Sequence, residues 1–184
     1  MAIIRTDRNW SYEDLVDLPD DGKRYEIHNG ELYDLPAPNW AHRTVLANLI
    51  ELLLPHVHAA HGVWRPAATA LFLTHNVVVE PDLLILLPGG RWSVGDRGVD
   101  GPPDLIVEIL SPSYPDRDRI RKPALYAGAG VREYWIADPY AGSIEVLALD
   151  ERGEYQTHRI ASDDARVSST LLPDVSFEAS AAYS

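Results

Sequence analysis

The sequence predicts an α/β fold in which a mixed central β-sheet is flanked by helices. Three observations carry that expectation. Residues 83–87 and 105–110 are apolar on both faces apart from a single carboxylate at Glu108, the pattern of strands covered on both sides. Residues 40–54 space Val45, Leu46, Leu49, Ile50, Leu52 and Leu53 at helical intervals. Shorter runs of alternating polarity stand between turn residues, and strands interleaved with helices assemble as layers around one sheet.

Taken in order, Ser11 and Asp14 form a loose capping box for a short helix reaching Leu18, with Pro19 as its stop. Residues 24–28 and 31–35 alternate around Asn29-Gly30, the pair suited to a two-residue type I′ hairpin turn. That register sets His28 against Glu31 and Glu26 against Tyr33, so both glutamates share one face while Ile27 and Leu32 take the other. Asn39 is the expected cap of the long helix and Pro55 its expected end. Residues 63–73 and 77–87 read as two strands joined by a turn at 74–76, with Pro81 forcing a bulge or an edge position. A strand over 104–110 and a helix over about 118–129 follow, Pro123 lying near the helix's first turn or kinking it. Strands at 133–137, 143–149 and 154–160 complete the series, and the stretches 88–90 and 98–103 are short enough to be ordinary loops.

With 184 residues and 46% apolar side chains the chain can bury a real core, and its length predicts a single domain over 1–184. Its expected parts are an N-terminal helix and hairpin at 11–35, a core at 36–149 and C-terminal strands at 150–184. The absence of cysteine excludes thiol catalysis, disulfides and cysteine-ligated metal. Neither a signal sequence in the first ten residues nor an apolar run of membrane-spanning length is visible, so the expected compartment is the cytoplasm, with no membrane partner. A net charge of −12 argues against a broad electrostatic grip on nucleic acid. Basic residues nevertheless cluster at Arg117, Arg119, Arg121 and Lys122, opposed there by Asp116 and Asp118.

The informative anomaly is a pair of carboxylates in apolar strands, Asp82 and Glu108. A buried ionised carboxylate must be protonated, paired with a cation or bound to a metal, because an uncompensated charge costs several kcal/mol. Neighbouring strands would bring the two together in a manner suited to Mg²⁺, whereas pairing with arginine or solvation at a strand end is the structural alternative. His42 lies on the long helix in line with Leu46, Leu49 and Leu53, at the edge of either the core or a cleft. His56, His58 and His61 fit no zinc spacing, and Ser111 and Ser113 lack a histidine partner at a recognisable spacing for a serine hydrolase.

Pro81-Asp82 followed by Glu108 resembles the two acidic motifs of the PD-(D/E)XK nuclease superfamily. The wider text, Tyr25-Glu26-Ile27, Gly30-Glu31-Leu32, Pro81-Asp82-Leu83-Leu84, the run from Asp104 through Glu108 to Pro112-Ser113, Lys122, Leu125-Tyr126-Ala127, Gly130-Val131 and Glu133-Tyr134-Trp135, resembles the Uma-two family of restriction endonucleases over about residues 11–149. The resemblance implies a restriction-endonuclease-like core and metal-dependent hydrolysis of DNA in which Asp82 and Glu108 hold Mg²⁺, with Mn²⁺ a possible substitute. The motif's usual lysine position, two residues after Glu108, holds Leu110, and the resemblance assigns the lysine's part to Lys122 on the following helix. Tyr126, one turn on, is expected to pack in the core or support the site, and Glu26, Glu31 and His42 are further candidates. Double-strand cutters commonly pair two sites, so a homodimer is compatible with this reading. The alternatives are a non-catalytic scaffold that keeps the fold, with Asp82 and Glu108 as ion-pair partners, and a phosphodiesterase acting on RNA or small nucleotides.

Overall fold

A computed structural model describes residues 8–18, 21–111 and 117–184, with backbone only at 117 and 118. Pro19, Pro112, Ser113 and Asp116, the first seven residues, and the side chains of Arg117 and Asp118 therefore lie outside the described residues. Helix α1 (Tyr12–Val16) precedes the hairpin of β1 (Arg24–His28) and β2 (Glu31–Leu35) and the long helix α2 (Trp40–Ala59). Strands β3 (Val63–Pro66), β4 (Leu71–Thr74), β5 (Val77–Val79), β6 (Leu83–Leu86), β7 (Ser93–Gly95), β8 (Gly98–Asp100) and β9 (Leu105–Ile109) follow. A π-helical turn (Arg117–Arg121) leads into α3 (Lys122–Ala129), then β10 (Glu133–Asp138), β11 (Ser143–Leu149), β12 (Tyr155–Ser162), β13 (Arg166–Ser168), β14 (Ser176–Glu178) and a 3₁₀ turn (Ala179–Ala182).

The central sheet runs β12-β11-β10-β9-β6-β3 and is antiparallel except for β9 and β10, whose parallel pairing is bridged by α3. A second mixed sheet runs β2-β1-β5-β4-β8-β7. Side-chain alternation sorts the core. On one face of the central sheet Leu83, Ile85, Leu105, Val107, Trp135 and Ala137 meet Val45, Leu49, Leu53 and Val57 of α2. On the other, Leu84, Leu86, Ile106, Tyr134 and Ile136 meet Tyr126 of α3 and Leu71, Val79 and Val99 of the second sheet. Both faces are covered, as the doubly apolar runs require.

The hairpin has the expected register, with Glu26 opposite Tyr33 and His28 opposite Glu31. Asn29 takes a positive φ of 50° and Gly30 one of 81°, as a type I′ turn demands. Three expectations are corrected. Residues 63–73 and 77–87 are not two continuous strands. Each is broken into a strand of the central sheet and a strand of the second, because the chain leaves the central sheet after Pro66 and returns at Asp82. Pro81, which has no N–H for a ladder, stands at the return, and Ala67 N–H donates to the Asp82 carbonyl at 3.0 Å, tying the two crossings together. Helix α2 does not stop at Pro55 but continues to Ala59. Pro55 withholds the N–H that would meet Glu51, yet Val57 extends the buried stripe by another turn, and burying a valine is worth about 1.5–3 kcal/mol. The stretch 98–103, expected as a loop, contains β8, which pairs with β7. Among the described residues no helix is long and apolar enough to cross a membrane.

Candidate active site

Asp82 stands immediately before β6, and Glu108 lies on β9 beside it, where Leu83 opposes Val107. Asp82 Oδ2 accepts the Ile109 N–H at 2.8 Å, so this carboxylate closes the strand pairing beyond the end of the ladder. The same oxygen lies 3.1 Å from His42 Nε2. His42 is aimed there by the helix start, since Asn39 Oδ1 accepts the His42 N–H at 2.9 Å and caps α2.

Glu108 points toward the second sheet and α3. Its Oε1 accepts from Lys122 Nζ at 2.7 Å and from the Tyr126 hydroxyl at 2.6 Å. Lys122 opens α3 and is only 2% exposed, with its ammonium also 3.2 Å from Glu26 Oε1. Pro123 in the first turn of α3 holds this end of the helix where no N–H is needed. Lys122 and Tyr126 are four positions apart and therefore present to Glu108 from one helix face. Burial, together with the charges of Glu108 and Glu26, pushes the Tyr126 phenol well above its ordinary range. It remains a hydrogen-bond donor.

Glu26 comes from β1 of the second sheet and is wholly buried. It accepts the Glu80 N–H at 2.9 Å and lies 3.0 Å from His28 Nε2. Glu80, which precedes Pro81-Asp82, pairs with Arg24 at 3.3 Å, and burial raises its pKa against the opposing influence of Arg24. Glu26, Glu80, Asp82, Glu108, His42 and Lys122 line one pocket of about 210 Å³ together with Arg24.

Of the residues singled out in the sequence, Asp82, Glu108, Lys122, Tyr126, Glu26 and His42 are brought together. Glu31 is not. Its side chain is 44% exposed and lies 3.6 Å from Arg121, lining a different groove of about 620 Å³. Tyr126 does more than pack, and His42 is a wall of the pocket rather than an apolar core edge. Arg24 and Glu80 were missed. Arg24 shares the alternation of Glu26 along β1, and Glu80 abuts the Pro-Asp pair, so both carried a positional signal.

The pocket sets four carboxylates against two permanent cations, Arg24 and Lys122, with His42 as its remaining titratable side chain. A surplus of negative charge lined by hard oxygen donors fits a divalent ion such as Mg²⁺. Among the described residues no group of three or more ligand-type side chains is placed to hold an ion unaided. Water or phosphate oxygens would have to complete the shell, which is the habit of Mg²⁺.

Residues 12–181 match the family model Uma2, described as "Putative restriction endonuclease". Among solved structures, a protein of Anabaena variabilis ATCC 29413, titled a putative nuclease belonging to DUF820, superposes with a TM-score of 0.76 at 15% sequence identity, covering 95% of this chain and 97% of the other. That likeness shows the fold. No curated protein matches the chain.

Proposed function

The chain belongs to the Uma2 family, and on that premise we propose that it is a metal-dependent endonuclease hydrolysing DNA phosphodiester bonds. Asp82 and Glu108 are the proposed holders of Mg²⁺, for which Mn²⁺ can substitute. The observation that carries the reading is Lys122. Lys122 of α3 is buried with its ammonium 2.7 Å from Glu108, and in this reading it takes the part of the ammonium that the superfamily motif supplies two residues after the second acid.

When bound, the ion supplies a lowered pKa for its water and charge neutralisation at the phosphate. The chain's own residues do the rest. Lys122 presents a fixed cation at the floor of the pocket, where low dielectric strengthens its hold on an anionic phosphate oxygen. Tyr126 fixes the Glu108 carboxylate by donating to Oε1, and His42 and the Ile109 N–H fix that of Asp82. Glu26 lies 3.2 Å from the same ammonium, so carboxylates from both sheets position the lysine before substrate arrives.

The test is cleavage of labelled single-stranded and duplex DNA at low salt with Mg²⁺ or Mn²⁺. Metal-dependent cutting is expected, falling about 10²–10³-fold in Glu108→Ala and Lys122→Ala. One observation favours the scaffold alternative: Asp82 and Glu108 already have hydrogen-bonding partners within the protein. Calorimetry separates the two, because Mg²⁺ or Mn²⁺ binding abolished by Asp82→Ala supports the enzyme, whereas neither binding nor cutting supports the scaffold. RNA and small cyclic or linear nucleotides belong in the same substrate panel.

A further inference from the structure

The rim of the pocket carries a feature that the buried cluster does not explain. Among the described residues the large exposed apolar side chains include two aromatics, Trp40 at 85% and Tyr140 at 63% exposure. They are joined through Asn39. Trp40 follows Asn39 at the start of α2, and Asn39 Nδ2 donates to the Tyr140 hydroxyl at 3.1 Å across the gap between the helix and the β10–β11 turn. Asn39 itself lines the pocket with Asp82 and Glu108.

The rings are mounted rather than loose. Asp138 Oδ1 accepts the N–H groups of Tyr140 and Ala141, each at 3.0 Å, which sets the turn that carries the tyrosine. Asp138 Oδ2 holds Arg119 at 3.0 Å and Glu145 lies 3.5 Å from the same guanidinium, whose side chain is still 41% exposed. Arg43 is exposed three residues after Trp40, on the same helix face, with its Nε anchored on the Pro38 carbonyl at 3.4 Å. Two open rings and two exposed guanidiniums are thus connected, through Asn39, Pro38 and the β10–β11 turn, to the edge of a pocket that sets four carboxylates against Arg24 and Lys122.

We propose that Trp40 and Tyr140 form a stacking platform for bases of an unpaired DNA strand, seating the adjoining phosphodiester over the Asp82–Glu108 pocket. This deepens the nuclease reading and rests on it for the role of the pocket. With a net charge of −12 the chain repels either form of DNA, so the preference for an unpaired strand rests on the two exposed rings and not on charge. Base faces are open to a flat ring only where the strand is unstacked. Arg43 and Arg119 then serve as two phosphate contacts flanking the stacked bases.

The test is fluorescence anisotropy with the full chain, using a 5′-labelled single-stranded 12-mer and the same sequence as duplex, in calcium buffer. Tight binding is expected for the single strand. Trp40→Ala and Tyr140→Ala should each weaken it about ten-fold, while Trp40→Phe stays within about three-fold of the parent because it keeps a ring. With two phosphate contacts, the logarithm of affinity should fall with the logarithm of salt at a slope of about −1.4. Both rings are solvent-exposed, so these variants should fold, and Val94→Ala, on β7 at the far edge of the second sheet, provides an exposed control. The platform is overturned if the single strand does not bind, if duplex binds as tightly, or if both alanine variants bind like the parent. Cleavage of the same strand keeps the two proposals distinct. Cutting that is lost in Asp82→Ala but unchanged in Trp40→Ala removes the platform and leaves the nuclease; Trp40-dependent binding without any cutting does the reverse.

Discussion

Replacing Lys122 with methionine keeps most of the side chain's volume and removes only the charge. In the parent, the ammonium sits 2.7 Å from Glu108 and 3.2 Å from Glu26, all three side chains being buried. Removing one partner from a buried ion pair typically costs about 3–5 kcal/mol, because the remaining charge is stranded in low dielectric. The low end applies here. Glu108 keeps the Tyr126 hydroxyl, and Glu26 keeps the Glu80 N–H and His28, so neither carboxylate is left without a hydrogen bond. About 3 kcal/mol corresponds to a fall in Tm of about 6–12 °C at this chain length. In urea the midpoint should move down by about 1.5 M if the m-value is near 2 kcal/mol per M. Denaturation at pH 7.5, followed by tryptophan fluorescence, measures it. Adding Glu108→Gln to Lys122→Met should recover about 1–2 kcal/mol, since glutamine still accepts from Tyr126 but brings no charge. A Lys122→Met midpoint within about 0.5 kcal/mol of the parent, or strict additivity in the double variant, would refute the buried three-charge arrangement.

Pro55→Ala restores an N–H for the Glu51 carbonyl at an exposed position of α2 and should raise stability by about 2 kcal/mol, read as an increase in Tm; a decrease would count against the uninterrupted helix. Burial pushes the Asp138 carboxyl up, but the N–H groups of Ala141 and Tyr140 and the Arg119 guanidinium outweigh it and leave the pKa below its ordinary 3.8. A depressed carboxylate stabilises the fold above its unfolded pKa and loses that contribution as pH falls through the folded value, so Asp138→Asn should lower Tm at pH 6 and converge on the parent only as the pH drops below the folded pKa, under the ordinary 3.8. Buried Glu133 accepts from Trp135 Nε1 at 2.6 Å, Ser169 Oγ at 2.7 Å, and both the N–H and the hydroxyl of Thr170. Glu133→Gln turns an amide NH₂ toward one of those donors and should cost about 2–4 kcal/mol, with faster hydrogen exchange at the amides of Leu171 and Leu172; unchanged exchange there would disprove the anchoring role.

Much of the local structure was legible where one residue pair dictates geometry. Asn29-Gly30 set the hairpin and, with it, the face on which Glu26 lies. The doubly apolar run around Glu108 announced a strand covered on both sides. The assignment of residues to sheets was not legible, because an apolar run states that a strand is buried and not which layer buries it. That is why the breaks at Pro66 and Asp82 escaped notice and the second sheet was absent from the expectation. Pro55 misled in the opposite direction, since a local rule was outweighed by the burial of Val57 one turn later. At the site, Asp82 and Glu108 stood out as carboxylates in apolar company, and Lys122 required the family resemblance. The His42–Asp82 contact depended on how the chain crosses between sheets, which no spacing in the sequence encodes.

The charged cluster draws its members from separate parts of the molecule: Glu26 from the second sheet, Glu108 from the central sheet and Lys122 from the helix that bridges β9 and β10. The cation that both carboxylates share, Lys122, belongs to neither sheet. A half-docked chain would hold carboxylates and an ammonium across a narrowing gap, already losing water and not yet in contact, so partial assemblies are penalised relative to both the open and the closed forms. The pocket thereby acts as a checkpoint on its own construction, favouring the fully joined sheets over partly joined ones.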